Sequence, residues 1–221
     1  MNKKTLCVLL VSIISTAGLY AQQAGQRIAG ARIGAAFGFN SSMDIGNVFD
    51  DREHSASDEM RINFALAAYG AHALTDRLSI QTELNLMINQ GYGLRVSVDG
   101  DLLHSEDITY TSLDIPILLR YNFLNSPSVL GILAGPHVSI PIGRARFTEG
   151  GTSEEIDIYT VTTFGLSAGI FGGIQAGPGR IMGDLRFIFD FNPVEKRPRE
   201  ESFAFMQRRA LLFTLGYEMS F

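Results

Sequence analysis

Hydrophobic and polar residues alternate along most of this chain, most clearly at its carboxyl end. From Leu211 to Phe221 every second residue is apolar or aromatic, and the residues between them, Glu218 included, are mostly small or polar. Successive side chains of a β-strand point to opposite faces, so this pattern predicts a strand with one apolar and one polar face. A strand between lipid and a polar lumen has this character. The carboxyl end therefore predicts a transmembrane β-barrel.

The same alternation recurs often enough to predict about eight strands. In the fourth strand Asp114 and Arg120 share one face with other polar residues, while Ile115, Ile117 and Leu119 share the opposite face. A strand buried on both sides would not carry charges so regularly on one face. The predicted strands are residues 32–39, 61–68, 78–98, 112–123, 130–142, 158–174, 181–192 and 210–221.

The predicted connections differ in length in a regular way. The connections after the second, fourth and sixth strands are short, at Thr75–Asp76, residues 125–128 and residues 177–179. Those after the other strands are long and charged, and they contain the predicted surface loops 41–59, 99–107, 144–157 and 193–202. We therefore expect an all-β, antiparallel, up-and-down transmembrane barrel, with short periplasmic turns and long extracellular loops.

The amino end predicts export. Residues 1–21 combine Lys3 and Lys4 with an apolar run and Ala21, as a signal peptide does, and the run is shorter than the roughly 20 residues of a membrane anchor. Residues 22–221 then form the barrel domain, which has no cysteine because Cys7 lies in the signal, so disulfides and thiol chemistry are excluded. With 16 Lys and Arg against 23 Asp and Glu, its net charge of −7 argues against nucleic acid.

One segment of the fourth strand resembles a known family. Residues 110–123, which read YTSLDIPILLRYNF, are similar to a signature of the outer-membrane β-barrel domain family, which includes porin-like and PorT-like proteins. Residues 131–137 and 183–190 resemble two further segments of that family. The resemblance implies a small outer-membrane barrel and implies no particular activity.

The predicted polar face carries ten charged residues. Paired acids among them, such as Asp184 and Asp190, suggest acid–base catalysis or, as the alternative that we favour, a salt-bridge network that fills the barrel. Five bases and five acids balance, and an eight-stranded lumen is just wide enough for its own side chains, so a wide channel is not expected. The ten residues are Arg32, Arg61, Glu83, Asp114, Arg120, Asp184, Arg186, Asp190, Arg208 and Glu218.

Other candidate sites are weak. His137 and Ser139 share the inward face of the fifth strand, but no acid partner is evident in the sequence, so a catalytic triad is not predicted. Residues 99–101, which read DGD, lack the remaining ligand spacing of a calcium loop and predict a turn. We therefore predict no enzyme activity, no catalytic residues, no cofactor and no metal site.

These patterns favour a monomeric outer-membrane barrel with a structural role and surface interactions through its loops. The alternative is porin-like passage of small solutes, hydrophobic ones among them, and a soluble lipid-carrying barrel would instead place its apolar side chains inside. The expected partners are outer-membrane lipid, an unidentified extracellular partner and the barrel-insertion machinery, which reads a last strand ending in Phe221. Tyr121, Phe123, Tyr217 and Phe221 predict an aromatic girdle near the periplasmic rim.

Overall fold

The computed structural model describes residues 27–42, 54–59, 61–98, 101–125, 127–149, 152–156, 161–192 and 206–220. These residues contain ten β-strands. Among these residues no helix is long and apolar enough to cross a membrane. The predicted signal peptide and Phe221 lie outside the described residues. The strands are β1 (Arg27–Ser42), β2 (His54–Glu59), β3 (Arg61–Ala73), β4 (Leu78–Val98), β5 (Asp101–Leu124), β6 (Ser128–Glu149), β7 (Thr152–Ile156), β8 (Thr163–Ala176), β9 (Gly179–Asp190) and β10 (Met206–Ser220).

Eight of these strands close into an antiparallel barrel. Each pairs with its neighbour in the order β1, β3, β4, β5, β6, β8, β9, β10, and β10 pairs with β1 to complete the circle. Strand β2 continues β3, because both pair with β4 in a single unbroken register. Closure leaves no sheet edge within the barrel wall, so every backbone polar group there has a partner strand. The predicted fold class is confirmed.

The two ends of the barrel differ. At one end, called the turn end, residues 74–77, the link from β5 to β6, and residues 177–178 make the short connections that the sequence predicts. At the other, called the loop end, β4, β5 and β6 run on past the remaining strands. There β2 pairs with β4 and β7 pairs with β6, which makes a five-stranded sheet in the order β2, β4, β5, β6, β7. We call this part of the sheet the loop-end extension.

Backbone irregularities mark the base of the loop-end extension. The β4–β5 register shifts between Met87 and Gln90, around Asn89, whose φ is 63°. The β5–β6 register shifts beside Gly143, whose φ is 79°. Asparagine and glycine are the residues that tolerate left-handed backbone conformations, and an extra residue of this kind makes a β-bulge. The bulges therefore separate the barrel wall from the sheet above it.

The loop-end extension corrects three predicted loops. Residues 54–59, 101–107, 144–149 and 152–156 are strands, so the described parts of the predicted loops 41–59, 99–107 and 144–157 are β-strand. Hairpin pairing satisfies backbone groups whether or not lipid is present, so these strands extend beyond the region where hydrophobic alternation is required. The predicted loop 193–202 lies outside the described residues, as do Asp99 and Gly100.

The barrel wall is apolar outside and polar inside. Large hydrophobic side chains such as Ile33, Phe64, Ile117 and Leu215 are at least half exposed, and they cover the outer face of every barrel strand. A monomer in water rarely exposes so large an apolar surface, whereas lipid covers such a surface without cost. Of the predicted girdle, Tyr121 and Phe123 are exposed and pack edge to face at 5.5 Å, Tyr217 is half-buried, and Phe221 is not described.

Candidate functional site: a lumen closed by ion pairs

The centre of the lumen is closed by a cluster of two acids and two arginines. Glu83 on β4 accepts two hydrogen bonds from Arg186 on β9, at 2.5 and 2.7 Å. Asp184 accepts from Arg186 at 3.0 Å and also pairs with Arg32, which lies 3.3 Å from Glu83. Because β4 and β9 lie four strands apart in a barrel of eight, the pair of Glu83 and Arg186 joins opposite walls. Gln81, Asn85 and Thr214 donate further hydrogen bonds to the two acids.

A second ion pair crosses the lumen nearer the turn end. Arg120 on β5 donates to Glu218 on β10 at 2.8 Å, and these strands also lie on opposite walls. Tyr69 donates its hydroxyl to Glu218 at 3.0 Å. The Arg120 guanidinium lies 4.2 Å from the ring centroid of Phe171, and that of Arg32 lies 3.9 Å from the ring of Tyr69. Such cation–π contacts stabilise buried guanidinium groups.

A third ion pair crosses the lumen nearer the loop end. Arg208 on β10 donates to Asp114 on β5 at 2.8 Å and to Asp190 on β9 at 3.1 Å. It also donates to the side-chain oxygen of Gln90 on β4 at 2.7 Å. His137 on β6 lies 2.7 Å from Asp190 through its Nε2 atom. This cluster therefore connects five strands of the barrel wall.

Apolar side chains fill the spaces between these clusters. Phe171 and Leu118 belong to one buried group near the turn end, and Met87 and Leu212 to another on the loop-end side of the central cluster. A buried apolar layer strengthens the attraction between charges beside it, because the local dielectric constant is low. The complete groups are Leu118, Val129, Leu133, Phe171 and Met182, and Ala36, Ala65, Met87, Ile188, Ala210 and Leu212.

The structure confirms that most of the ten charged residues of the predicted polar face, called the inward set, are buried in the lumen. Nine of the ten predicted charged residues are at most 4 % exposed, and the side chain of Arg61 is outside the described residues. The central and turn-end clusters contain three arginines and three acids, so the charges balance there. Removal of one member of such a network leaves an uncompensated buried charge. The buried acids are thus partners of arginines.

The two residues weighed for catalysis do not form a pair. Ser139 donates to Asp114 at 2.5 Å, whereas the Nδ1 atom of His137 lies 3.2 Å from the hydroxyl of Ser167. Ser167, His137 and Asp190 therefore follow one another in the order of a catalytic triad, but with the two ring nitrogens of the histidine exchanged, and no spacing in the sequence predicts this arrangement. Ser167 and His137 are each 4 % exposed and Asp190 is fully buried, so this arrangement does not present its hydroxyl to a substrate.

A glycine allows His137 and Asp190 to meet. Gly165 on β8 pairs with His137 on one side and with Asp190 on the other, so the two side chains reach each other across it. A Cβ atom at Gly165 would lie 2.6 Å from Cε1 of His137 and closer still to the carbonyl oxygen of Phe189. The contact between His137 and Asp190 therefore requires a residue without a side chain at position 165.

We expect Gly165→Ala to lower the free energy of unfolding by about 1–3 kcal/mol, because the added methyl group overpacks the wall. The measurement is urea unfolding of the refolded barrel in detergent, followed by circular dichroism. Gly172→Ala on the same strand is the control, since its Cβ would lie 3.5 Å from the nearest atom, and it should have little effect. Equal stability of the two variants would contradict the proposed crossing over Gly165.

Among the described residues, no group of three or more His, Cys, Asp or Glu side chains is placed to hold a metal ion. The acids of the lumen instead face guanidinium groups, whose positive charge occupies the position that a cation would take. Chemically, the arrangement joins opposite walls of the barrel through ion pairs.

Comparison with known proteins agrees with this architecture. The chain is similar in structure to Neisserial surface protein A, with a TM-score of 0.53, 13% identity, and coverage of 90% of this chain and 100% of that one. It is also similar to the outer membrane protein OprG from Pseudomonas aeruginosa, with a TM-score of 0.50, 11% identity, and coverage of 90% and 97%. At these identities the likeness concerns the fold alone.

None of the curated proteins compared with this chain matches it in sequence. Residues 20–195 match the sequence model of a family described as the outer membrane protein beta-barrel domain. That segment spans most of the chain and includes β1 to β9. The protein therefore belongs to the outer membrane protein beta-barrel domain family.

Proposed function

We propose that this protein is a closed, non-conducting barrel that acts at the cell surface through its loop-end extension. The observation that carries the proposal is the set of three ion pairs that join opposite walls of the lumen. They are Glu83 with Arg186, Arg120 with Glu218, and Arg208 with Asp114. All six side chains are at most 5 % exposed, and the space between the pairs is apolar.

The loop-end extension supplies the surface for contacts. Strand β4 has 21 residues, so at about 3.4 Å per residue and a tilt of roughly 45° it rises about 50 Å, twice the roughly 25 Å of the apolar band. The sheet that stands above the band is ordered by pairing, and a hydroxyl contact of 2.9 Å joins Thr148 to Ser153. A rigid, solvated sheet presents side chains to a partner at low entropic cost.

The proposal includes three further features of the barrel. It is monomeric, its last strand β10 engages the insertion machinery during assembly, and it carries no catalytic activity. The buried positions of Ser167, His137 and Asp190 support the last point. The alternative, porin-like passage of small solutes, requires an open route through the lumen, which the cross-lumen ion pairs argue against.

Planar bilayer recordings test the closed lumen. We expect the purified mature protein to insert without producing stepwise current events, because charged and apolar side chains fill the lumen at three levels. Liposome swelling with small sugars and amino acids should likewise match that of empty vesicles. Reproducible unitary currents, or faster swelling than in empty vesicles, would replace this proposal with the porin-like alternative.

Cysteine labelling tests which end reaches the surface. The predicted mature chain has no cysteine, so a single Ser153→Cys change in β7 adds one thiol at an exposed position of the loop-end extension. We expect a membrane-impermeant maleimide to label this variant in intact cells. Ser128→Cys, at the exposed first residue of β6 at the turn end, is the matched control and should react only after the cells are permeabilised. The reverse pattern would contradict the proposed orientation.

A further inference from the structure

A polar pocket opens at the turn end of the barrel, opposite the loop-end extension. Its volume is about 250 Å³. It spans the mouth of the lumen, because its walls come from the starts of β1, β4 and β9, the ends of β3, β5 and β10, and the 74–77 turn. The residues that line it are Ile28, Ala73, Thr75, Asp76, Arg77, Leu78, Ser79, Asn122, Asn125, Arg180 and Ser220.

The rim of the pocket is tied together by hydrogen bonds between its turns and strand ends. Arg180 at the start of β9 donates from Nη2 to the carbonyl oxygen of Asn125 at 3.3 Å. Asn125 in turn donates from Nδ2 to the carbonyl oxygen of Asp76 at 2.8 Å. The backbone amide of Asn122 donates to the carbonyl oxygen of Arg77 at 2.8 Å. These contacts hold Arg77 and Arg180, the two basic residues of the pocket, on a fixed frame.

One buried acceptor in the lining of the pocket, Oδ1 of Asn122, lacks a donor in the described part of the chain, and a second, Oε1 of Glu218, lies outside the lining. Among the described residues, neither Oε1 of Glu218 nor Oδ1 of Asn122 accepts a hydrogen bond, although both atoms are buried. Glu218 is 1 % exposed, and its Oε1 lies 3.9 Å from Nη1 of Arg180, which lines the pocket. Buried acceptors of this kind are normally satisfied, so they call for a donor from outside the chain.

We propose that the turn-end pocket binds a small zwitterion of the amino-acid type. Its carboxylate would bind the guanidinium groups of Arg180 and Arg77, and its ammonium group would donate to Oδ1 of Asn122 and to the carboxylate of Asp76, an acid that lines the pocket. Guanidinium groups bind carboxylates through strong charge-assisted hydrogen bonds. The volume of the pocket is about that of eight water molecules and lies below that of sites for drug-sized ligands, so a compact ligand is required.

The location of the pocket also favours a ligand that stays in the turn-end pocket and does not pass through the lumen. Directly inside it, Arg120 and Glu218 close the lumen through their 2.8 Å ion pair, so the pocket is a dead end. The short turns of outer-membrane barrels face the periplasm, and the ligand would therefore arrive from that compartment.

Nuclear magnetic resonance titration of the mature protein in detergent micelles tests this proposal. The probes are alanine, propionate, which keeps only the carboxylate, and ethylammonium, which keeps only the cation. We expect alanine to shift the backbone amide signals of Thr75, Arg180 and Ser220 saturably. Its dissociation constant should be at least about tenfold lower than that of either fragment, which corresponds to roughly 1.4 kcal/mol.

Variants separate a built site from a general charge effect. Arg180→Gln should weaken alanine binding at least tenfold, and Arg77→Gln, on the exposed turn, provides the same test if Arg180→Gln does not refold. Arg209→Gln, whose guanidinium packs near the ring of Phe189 toward the loop end, is the control and should bind like the wild type. The proposal is overturned by the absence of saturable shifts, by propionate binding as tightly as alanine, or by unchanged binding in both pocket variants.

Discussion

Glu83→Ala is expected to lower the free energy of unfolding by about 3–5 kcal/mol, because the change leaves buried positive charge without its partner. Glu83 is 1 % exposed and accepts hydrogen bonds from Arg186, Arg32, Gln81 and Asn85. Its loss leaves Asp184 as the only carboxylate in direct contact with the two arginines of the central cluster among the described residues. The effect should therefore exceed that of a cavity of the same size.

The measurement for Glu83→Ala is urea unfolding of the refolded protein in detergent. The chain has no tryptophan, so circular dichroism and the heat-dependent shift in gel migration follow the transition. Thr82→Ala is the matched control, since Thr82 is the preceding residue of β4 and faces outward, where it is exposed. It should change stability by less than about 0.5 kcal/mol. If the two variants lost similar stability, the central cluster would not hold the barrel closed.

The double variant Glu83→Ala with Arg186→Ala sharpens the interpretation. If the cost of Glu83→Ala comes from an unpaired charge, removal of the facing guanidinium should recover part of the lost stability, because both partners are then absent. If the cost instead comes from lost packing, the second substitution should add to the first. The sign of the coupling between the two sites therefore separates an electrostatic role from a steric one.

The faces of the strands could be predicted from the sequence because a period of two has only two phases. Once Asp114 and Arg120 are placed on one face of a strand, the apolar residues between them must lie on the other. The apolar face then contacts lipid, and the charged face lines the lumen. For the same reason the inward set could be predicted without knowing which strands are neighbours. The predicted start and end of β4 also match the structure. The sequence alternation keeps one phase along this strand, whereas the bulge at Asn89 shifts the phase in the structure, so that Asn89 is exposed and Gln90 is buried.

The contacts inside the lumen could not be predicted in this way. The meeting of Arg208 with Asp114 depends on the number of strands and on the relative height of two opposite walls. Likewise, His137 reaches Asp190 only because the register places Gly165 between them. The contact of Ser167 with His137 depends on the same register. The turn-end pocket is assembled from strand ends far apart in the chain, so no local pattern marks it.

The predicted loops 41–59, 99–107 and 144–157 are wrong in their described parts for a related reason. Charged, weakly alternating segments such as residues 101–107 read as loops when lipid contact is taken as the reason for a strand. Above the membrane both faces of a sheet meet water, so hydrophobic alternation is no longer needed and backbone pairing alone defines the strand. The structure shows that the paired hairpins continue there. Polarity in a barrel sequence therefore marks the end of the lipid band more reliably than the end of a strand.

Leu215→Arg is expected to lower the free energy of unfolding in lipid by about 2–4 kcal/mol, because it places a charge on the lipid face near the middle of the apolar band. Leu215 is 50% exposed and lies beside Ile33 in the neighbouring strand β1. Refolding into phospholipid vesicles followed by urea titration measures the change. Lipid is essential to this experiment, since detergent adapts more readily to a charged side chain.

Met219→Arg is the matched control, because Met219 lies on the same face of β10 but one residue before Ser220, the last residue of the strand. It is 42% exposed, similar to Leu215, so the two positions differ mainly in their depth. Near the interface an arginine costs only about 0–1 kcal/mol, because its side chain reaches the polar headgroups. A larger loss at Leu215 than at Met219 therefore measures the depth of the surrounding hydrocarbon. Losses below about 1 kcal/mol at both positions would mean that water covers this face, and the membrane-spanning assignment of the barrel wall would then be wrong.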